Sequence, residues 1–297
     1  MIADGCCQHQ NQQSSTTDTR TTEGGCIVLV AKCPIEGASK TRLSGLLGKK
    51  GAAILARAML QDVLLGLSDC PRLKLVTKIL LYAPGTEEGH EHMSHLLSHL
   101  YNNDDPSASS KNGDSPWTLL PMLTSKSNDL TSSNLGDKLK DALVRVRSLP
   151  GVTSGVVFLG MDSPEIPLTE VVHALHYAGS QGTALVCPAD DGGYGMISLP
   201  PAASPQVFEG VRWSHPLTCV SQMKALSDCG VPVVLGRLMR DIDEADDVKQ
   251  LAKRLKGRYS ECEGEEQNGG SCGDVLEKLS SLPYGNAKCS GDKVDGG

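Results

Sequence analysis

Aromatic residues are scarce in this chain: two Phe, two Trp and six Tyr among 297 residues. Its core must therefore be aliphatic, as the cores around buried parallel sheets usually are. No two cysteines are spaced C-x-x-C, and Cys262, Cys272 and Cys289 are far apart and irregularly placed. The eleven cysteines thus suggest neither structural zinc nor a secreted disulfide scaffold; reduced thiols in a cytoplasmic protein fit best. No apolar run approaches the roughly 20 residues that span a bilayer. The polar opening, with Asp4 inside it, does not read as a secretory or transit peptide. A basic surplus is missing too. The formal charge is −7, and residues 1–24 (three acids, one base) and 256–297 (eight acids, five bases) hold most of it. About −2 remains for the middle, so no basic surface for nucleic acid is advertised.

What is present alternates strand and helix. Residues 1–24 are Gln-, Ser- and Thr-rich without apolar periodicity and read as a disordered tail. Cys26-Ile27-Val28-Leu29-Val30 is a buried strand, stopped by Ala31-Lys32-Cys33-Pro34. From Gly51 to Leu67 a helix places Ala52, Leu55, Met59, Val63 and Leu67 on one face. Strands are expected over Leu75–Ala83, Trp117–Met122, Gly155–Leu159, Thr183–Pro188, Met196–Leu199 and Val231–Leu235, the last read as a long one. Helices are expected over Glu87–Tyr101, Asn134–Arg147, Pro167–Ala178, Pro216–Cys229 and Glu244–Leu255. The first of these carries His92, His95 and His99 on one face, which is either a solvated stripe or a metal-binding one. A polar run over 102–116 reads as a flexible insertion, and beyond Lys256 the composition reads as a second disordered tail. One mostly parallel α/β sheet with helices on both faces is the expected fold.

The first strand feeds a loop with Gly37, Lys40 and Arg42 and then a long helix. That arrangement is how α/β proteins hold a phosphate at the carboxyl end of a strand. Neither a Walker loop nor G-x-G-x-x-G is present, so a surface loop with two solvated cations is the competing reading. Asp162 directly follows an apolar strand and precedes Ser163-Pro164, which places its carboxylate at the same edge or caps the next helix. Asp190-Asp191-Gly192-Gly193-Tyr194 is a turn whose glycines also permit close approach to a ligand.

The run Ala31-Lys32-x-Pro34-x-x-Gly37-x-x-Lys40-Thr41-Arg42-Leu43 resembles the opening motif of a bacterial glycosyltransferase-like family. That family is associated with arsenosugar biosynthesis and selenodomain proteins, and belongs to the nucleotide-diphospho-sugar transferase superfamily. The run is also similar to the opening of phospholactate guanylyltransferases, which share a Lys-x-Arg-Leu element. Leu135-Gly136-Asp137-Lys138-Leu139, Asp190-Asp191-Gly192-Gly193-Tyr194, Phe208-Glu209-Gly210-x-x-Trp213 and Asp241-Ile242-Asp243 resemble further elements of the first family, in order. In the last element Glu244 and Ala245 replace the family's Thr and Pro.

The resemblance implies a single nucleotide-diphospho-sugar transferase domain of the type-A glycosyltransferase arrangement over residues 25–255. It implies nucleotide binding by Ala31, Lys32, Gly37, Lys40 and Arg42, and Mg²⁺ or Mn²⁺ held by Asp162 and Asp243. Lys40, Arg42 and Asp162 become the catalytic group, and Asp190, Asp191, Gly192, Gly193, Tyr194 and Trp213 the substrate pocket. The implied activity is metal-dependent sugar transfer from a nucleotide-sugar to a small acceptor. A nucleotidyltransferase that acts on a nucleoside triphosphate and releases pyrophosphate is the alternative, and a non-catalytic nucleotide-binding protein a third.

Overall fold

The computed structural model describes residues 22–101, 115–123 and 134–261. The expected tails, apart from Thr22–Gly24 and 256–261, and nearly all of the expected insertion lie outside these residues. Seven strands form one sheet: β1 (Cys26–Lys32), β2 (Thr77–Ala83), β3 (Trp117–Pro121), β4 (Val156–Gly160), β5 (Ala184–Pro188), β6 (Tyr194–Leu199) and β7 (Val233–Leu235). Their spatial order is β3-β2-β1-β4-β6-β5-β7. All pair in parallel except β6, which runs antiparallel to both β4 and β5. The sheet is therefore mixed but mostly parallel.

β1 lies between β2 and β4, which explains its unbroken apolar sequence. Ile27 and Leu29 point to one face, where they pack with Leu60 and Leu64 of α1 (Ser44–Asp69), Met93 and Leu96 of α2 (Glu87–Tyr101), and Val171 and Leu175 of α4 (Leu168–Gln181). Cys26 and Val28 point to the other, against Leu139 and Leu143 of α3 (Leu135–Arg147) and Leu226 of α5 (Thr218–Asp228). The two-residue repeat of the strand thus feeds two separate cores. All five residues expected on the apolar face of α1 are buried. With the turn before it, Thr41–Asp69 is long and apolar enough to cross a membrane by composition. Its apolar face is instead a wall of this core.

Several boundaries differ from the sequence reading. β1 runs through Ala31 and Lys32, because Pro34 and not Ala31 ends its ladder. β7 is only three residues long, since Pro232 precedes it and Gly236 follows. α6 (Ala245–Glu261) continues past Lys256. Thr22 is buried and donates its hydroxyl to the Arg72 carbonyl, so the ordered body begins before Gly25.

Candidate active site

A third apolar cluster builds the site. Leu43 ends a short 3₁₀ turn (Thr41–Leu43) after the first strand's loop and packs with Leu55 and Met59 of α1. Ile242, from the extended segment before α6, enters the same cluster and is 1% exposed. In an extended segment the neighbours of a buried residue point the opposite way. Burying Ile242 therefore sets Asp241 and Asp243 together on the side away from that cluster, where both line one cavity. Asp162 is fixed alongside, because its carbonyl accepts the Ile242 N–H at 2.9 Å.

Lys40 is presented by a pinned loop. Buried Ser39 donates to the Cys33 carbonyl and accepts the Ile35 N–H. Lys40 then adopts a left-handed backbone (φ 46°), uncommon for a residue with a side chain. Its ammonium lies 2.5 Å from Asp162 Oδ1 and 2.7 Å from Asp243 Oδ1. The lysine side chain is 7% exposed, whereas the two carboxylates are 45% and 43% exposed. Burial pulls the Lys40 pKa down, but the two carboxylates outweigh it and raise the net value. The carboxyl of Asp241 is held above its usual range by burial, despite the Ser163 hydroxyl it accepts, with the charges of Asp162, Asp243 and Asp191 adding to the shift.

Four cavities meet around this ion triad. One of about 210 Å³ is lined by Lys32, Lys40, Arg42, Asp162 and Asp243. A second, about 590 Å³, runs over the ends of β1 and β2 past Ala31, Lys32, Ala83, Gly85 and Asp162. A third, also about 590 Å³, is walled by Leu139, Phe158, Asp191, Gly193, Tyr194 and Trp213 and again reaches Asp162 and Asp243. The fourth, about 320 Å³, holds Arg42, Asp190, Arg240 and Asp243. Arg42 lines three of the four and has no hydrogen-bond or ion-pair partner among the described residues.

Over residues 108–215 the chain matches the family described as "Uncharacterized protein conserved in bacteria (DUF2064)". No curated protein sequence gives a significant match. Among solved structures, a provisionally assigned nucleotide-diphospho-sugar transferase from Desulfovibrio desulfuricans G20 superposes with a TM-score of 0.69 at 23% identity. The alignment covers 88% of this chain and 96% of that one, so the two share a fold. A cytidylyltransferase from Leptospira borgpetersenii is more remote, with a TM-score of 0.47, 12% identity and coverage of 88% and 95%. More remote again is a Mycobacterium tuberculosis H37Rv protein in complex with manganese, at 0.37, 17% identity and coverage of 77% and 98%.

Lys40, Arg42, Asp162 and Asp243 come together as the sequence suggested, and Ala31 and Lys32 line the cavity beside them. Asp191, Gly193, Tyr194 and Trp213 share the large cavity. Asp190 does not; it lines the fourth. Gly37 is exposed and lines none of the four cavities, and its φ of 75° shows that it serves the turn. Gly192 lines none either. A Cβ there would sit 2.0 Å from the Pro216 carbonyl oxygen, so Gly192 lets two loops touch. The Tyr194 hydroxyl is committed to buried Gln222, which leaves its ring as the part that faces the cavity.

Asp241 and His215 were not singled out from sequence. The i, i+2 spacing around apolar Ile242 was a readable signal for Asp241. His215 depends on the left-handed Ser214 (φ 54°), which no residue type announces. A divalent cation fits the donor set. Two carboxylates already converge on one cation, and hard Mg²⁺ or Mn²⁺ prefers such oxygens. Among the described residues no cluster of three or more His, Cys, Asp or Glu is arranged to hold a metal alone.

Proposed function

We propose that the protein transfers a sugar from a nucleotide-sugar to a small acceptor with the help of Mg²⁺ or Mn²⁺. The observation that carries this is the convergence of Asp162 and Asp243 on one cation between two large cavities. In this reading the nucleoside lies over Ala31, Lys32 and Gly85, with its diphosphate at Lys40 and Arg42. Asp162 and Asp243 would hold the metal, which would supply neutralisation of the departing diphosphate. The guanidinium of Arg42 suits a phosphate geometrically and adds charge-assisted hydrogen bonds. The acceptor occupies the large cavity. Its hydroxyl oxygen bonds to the anomeric carbon and gives its proton to water, and the sugar–phosphate C–O bond breaks with its electron pair on the nucleoside diphosphate. The reaction would take place in the cytoplasm and involve neither nucleic acid nor membrane.

The test is the product. The protein, Mg²⁺ and a cell extract that supplies acceptors are incubated with labelled nucleotide-sugars or with labelled nucleoside triphosphates. Nucleoside diphosphate should be released from a nucleotide-sugar, and Asp162→Asn should abolish the release. Pyrophosphate release from a triphosphate, dependent on extract and Asp162, would make the protein a nucleotidyltransferase. Nucleotide binding without turnover of either would make it a binding protein.

A further inference from the structure

Asp162 and Asp243 come from distant parts of the chain, one just after β4 and the other just before α6, and each turns an oxygen to the same ammonium. Lys40 thereby fills the gap between them. Without it two carboxylates would face each other, with the Asp241 carboxyl close by.

The backbone that carries Lys40 is clamped on both sides. Ser39 is bonded to Cys33 and Ile35, and Leu43 is fully buried with Leu55 and Met59. The side chain is freer. It has a flexible four-carbon stem, and it lines the cavity of about 210 Å³ in which Lys32 and Arg42 also stand. Neither of those two has a hydrogen-bond or ion-pair partner among the described residues. An anion in that cavity would meet three cations, of which only Lys40 is already paired. The ammonium can turn to the carboxylates or to the anion, and in the second case the gap between the carboxylates is open.

We propose that Lys40 is a placeholder cation: it closes the gap between Asp162 and Asp243 until a diphosphate enters the smaller cavity and draws the ammonium over, which opens the gap to Mg²⁺ or Mn²⁺. The identity of the anion and of the metal rests on the transferase reading; the exchange rests on the ion triad. Free metal is held off, and metal and diphosphate enter as a coupled pair. A ligand shifts a two-state group only by its different affinity for the two states, and the coupling is reciprocal. Two solvent-screened ion contacts correspond to about thirtyfold in an equilibrium constant. That is the margin by which Lys40 should hold off a metal that comes alone.

Equilibrium dialysis tests the exchange without turnover. The full chain, Lys40→Met and Lys40→Arg are dialysed at free Mn²⁺ fixed by a chelating buffer, with and without saturating inorganic pyrophosphate. Bound Mn²⁺ per chain is measured. A bridging pyrophosphate would tighten Mn²⁺ in every variant, so the informative quantity is the gap between native chain and Lys40→Met. Without pyrophosphate the native midpoint should lie about thirtyfold higher in free Mn²⁺. With pyrophosphate that gap should shrink by about tenfold or more. Lys40→Arg keeps a cation at the same place and should stay with the native chain. Equal midpoints without pyrophosphate, a gap that pyrophosphate leaves unchanged, or a Lys40→Arg that follows Lys40→Met overturns the proposal. If circular dichroism shows that Lys40→Met does not fold, Lys40→Gln replaces it with the same expectations. A gap that pyrophosphate closes, in a protein that turns over no nucleotide-sugar, keeps the placeholder and removes the transferase reading. Release of nucleoside diphosphate by a protein without the gap does the reverse.

Discussion

Lys40→Met is the most informative single substitution in this protein. The lysine ammonium sits where a metal held by Asp162 and Asp243 would have to sit, within 2.7 Å of both carboxylates. The two cations therefore compete. With its pKa raised by Asp162 and Asp243 over the opposing effect of burial, Lys40 stays charged throughout the neutral range. Two unit charges 4 Å apart attract by about 1 kcal/mol in water and about 4 in a protein surface environment. Asp162 and Asp243 are 45% and 43% exposed, so the screened value is the appropriate one. Two such contacts amount to about 2 kcal/mol, or roughly thirtyfold in an equilibrium constant. Without nucleotide, Lys40→Met should thus bind Mn²⁺ about thirtyfold more tightly than the native chain. On the proposed transferase reading, sugar transfer should fall at the same time, because Lys40 would no longer stand beside the diphosphate. Calorimetric titration with Mn²⁺, followed by the product assay on the same preparation, reads both. The melting temperature should fall by no more than a few degrees, since each half-exposed ion pair contributes about 1 kcal/mol or less. Unchanged or weaker Mn²⁺ binding in a folded variant would refute the competition and, with it, the shared cation position.

Arg42→Ala should weaken binding of a nucleoside diphosphate about ten- to hundredfold while leaving the nucleoside untouched, the scale of one charge-assisted hydrogen bond; equal losses for both ligands in a titration would assign Arg42 to the fold. Gly192→Ala should lower thermal stability by about 1 kcal/mol or more, because a Cβ would meet the Pro216 carbonyl oxygen at 2.0 Å on a backbone with φ 85°. It should also weaken ligands of the large cavity more than nucleotide, since the displaced loop carries Trp213 and His215; an unchanged melting curve would contradict the contact. Ile242→Ala removes the anchor between Asp241 and Asp243, so denaturant unfolding should show a loss of about 2–5 kcal/mol, and Mn²⁺ affinity measured below the transition should fall with it.

Much of the fold could be read from the chain because local signals and burial agree. The continuous apolar run Cys26–Val30 is what a strand flanked on both sides requires, and the stripe on α1 faces the core as its spacing demands. Edges were harder. Val231–Leu235 reads as a strand by composition, yet Pro232 has no N–H to give a ladder and only three residues pair. The reversed direction of β6 could be read in part from the Asp-Gly turn signal, because strand direction depends on what connects the strands more than on what they contain. The tight Asp-Gly-Gly turn after β5 is short enough to send the chain straight back.

The site divides along the same line. Lys40 and Asp162 stood out because each follows a strand, where open α/β sheets place their ligands, and Asp243 through its family-like element. Their meeting was implied by the family resemblance and by no local pattern. It depends on Leu43 and Ile242 sharing one apolar cluster across some two hundred residues of sequence, which no local window contains. The roles of the glycines were equally out of reach. Gly37 and Gly192 satisfy a motif by spacing, and in the fold one turns the chain and the other lets Pro216 approach. The residues that touch the large cavity around them owe their position to that approach. The Pro216 contact and the Cys219 N–H to the Gly192 carbonyl hold the two loops together, and Tyr194 and Trp213 meet across the join. An aromatic wall assembled from separate loops is selective only while the loops stay joined, so loop contacts, more than the wall residues themselves, should govern which ligands this cavity admits.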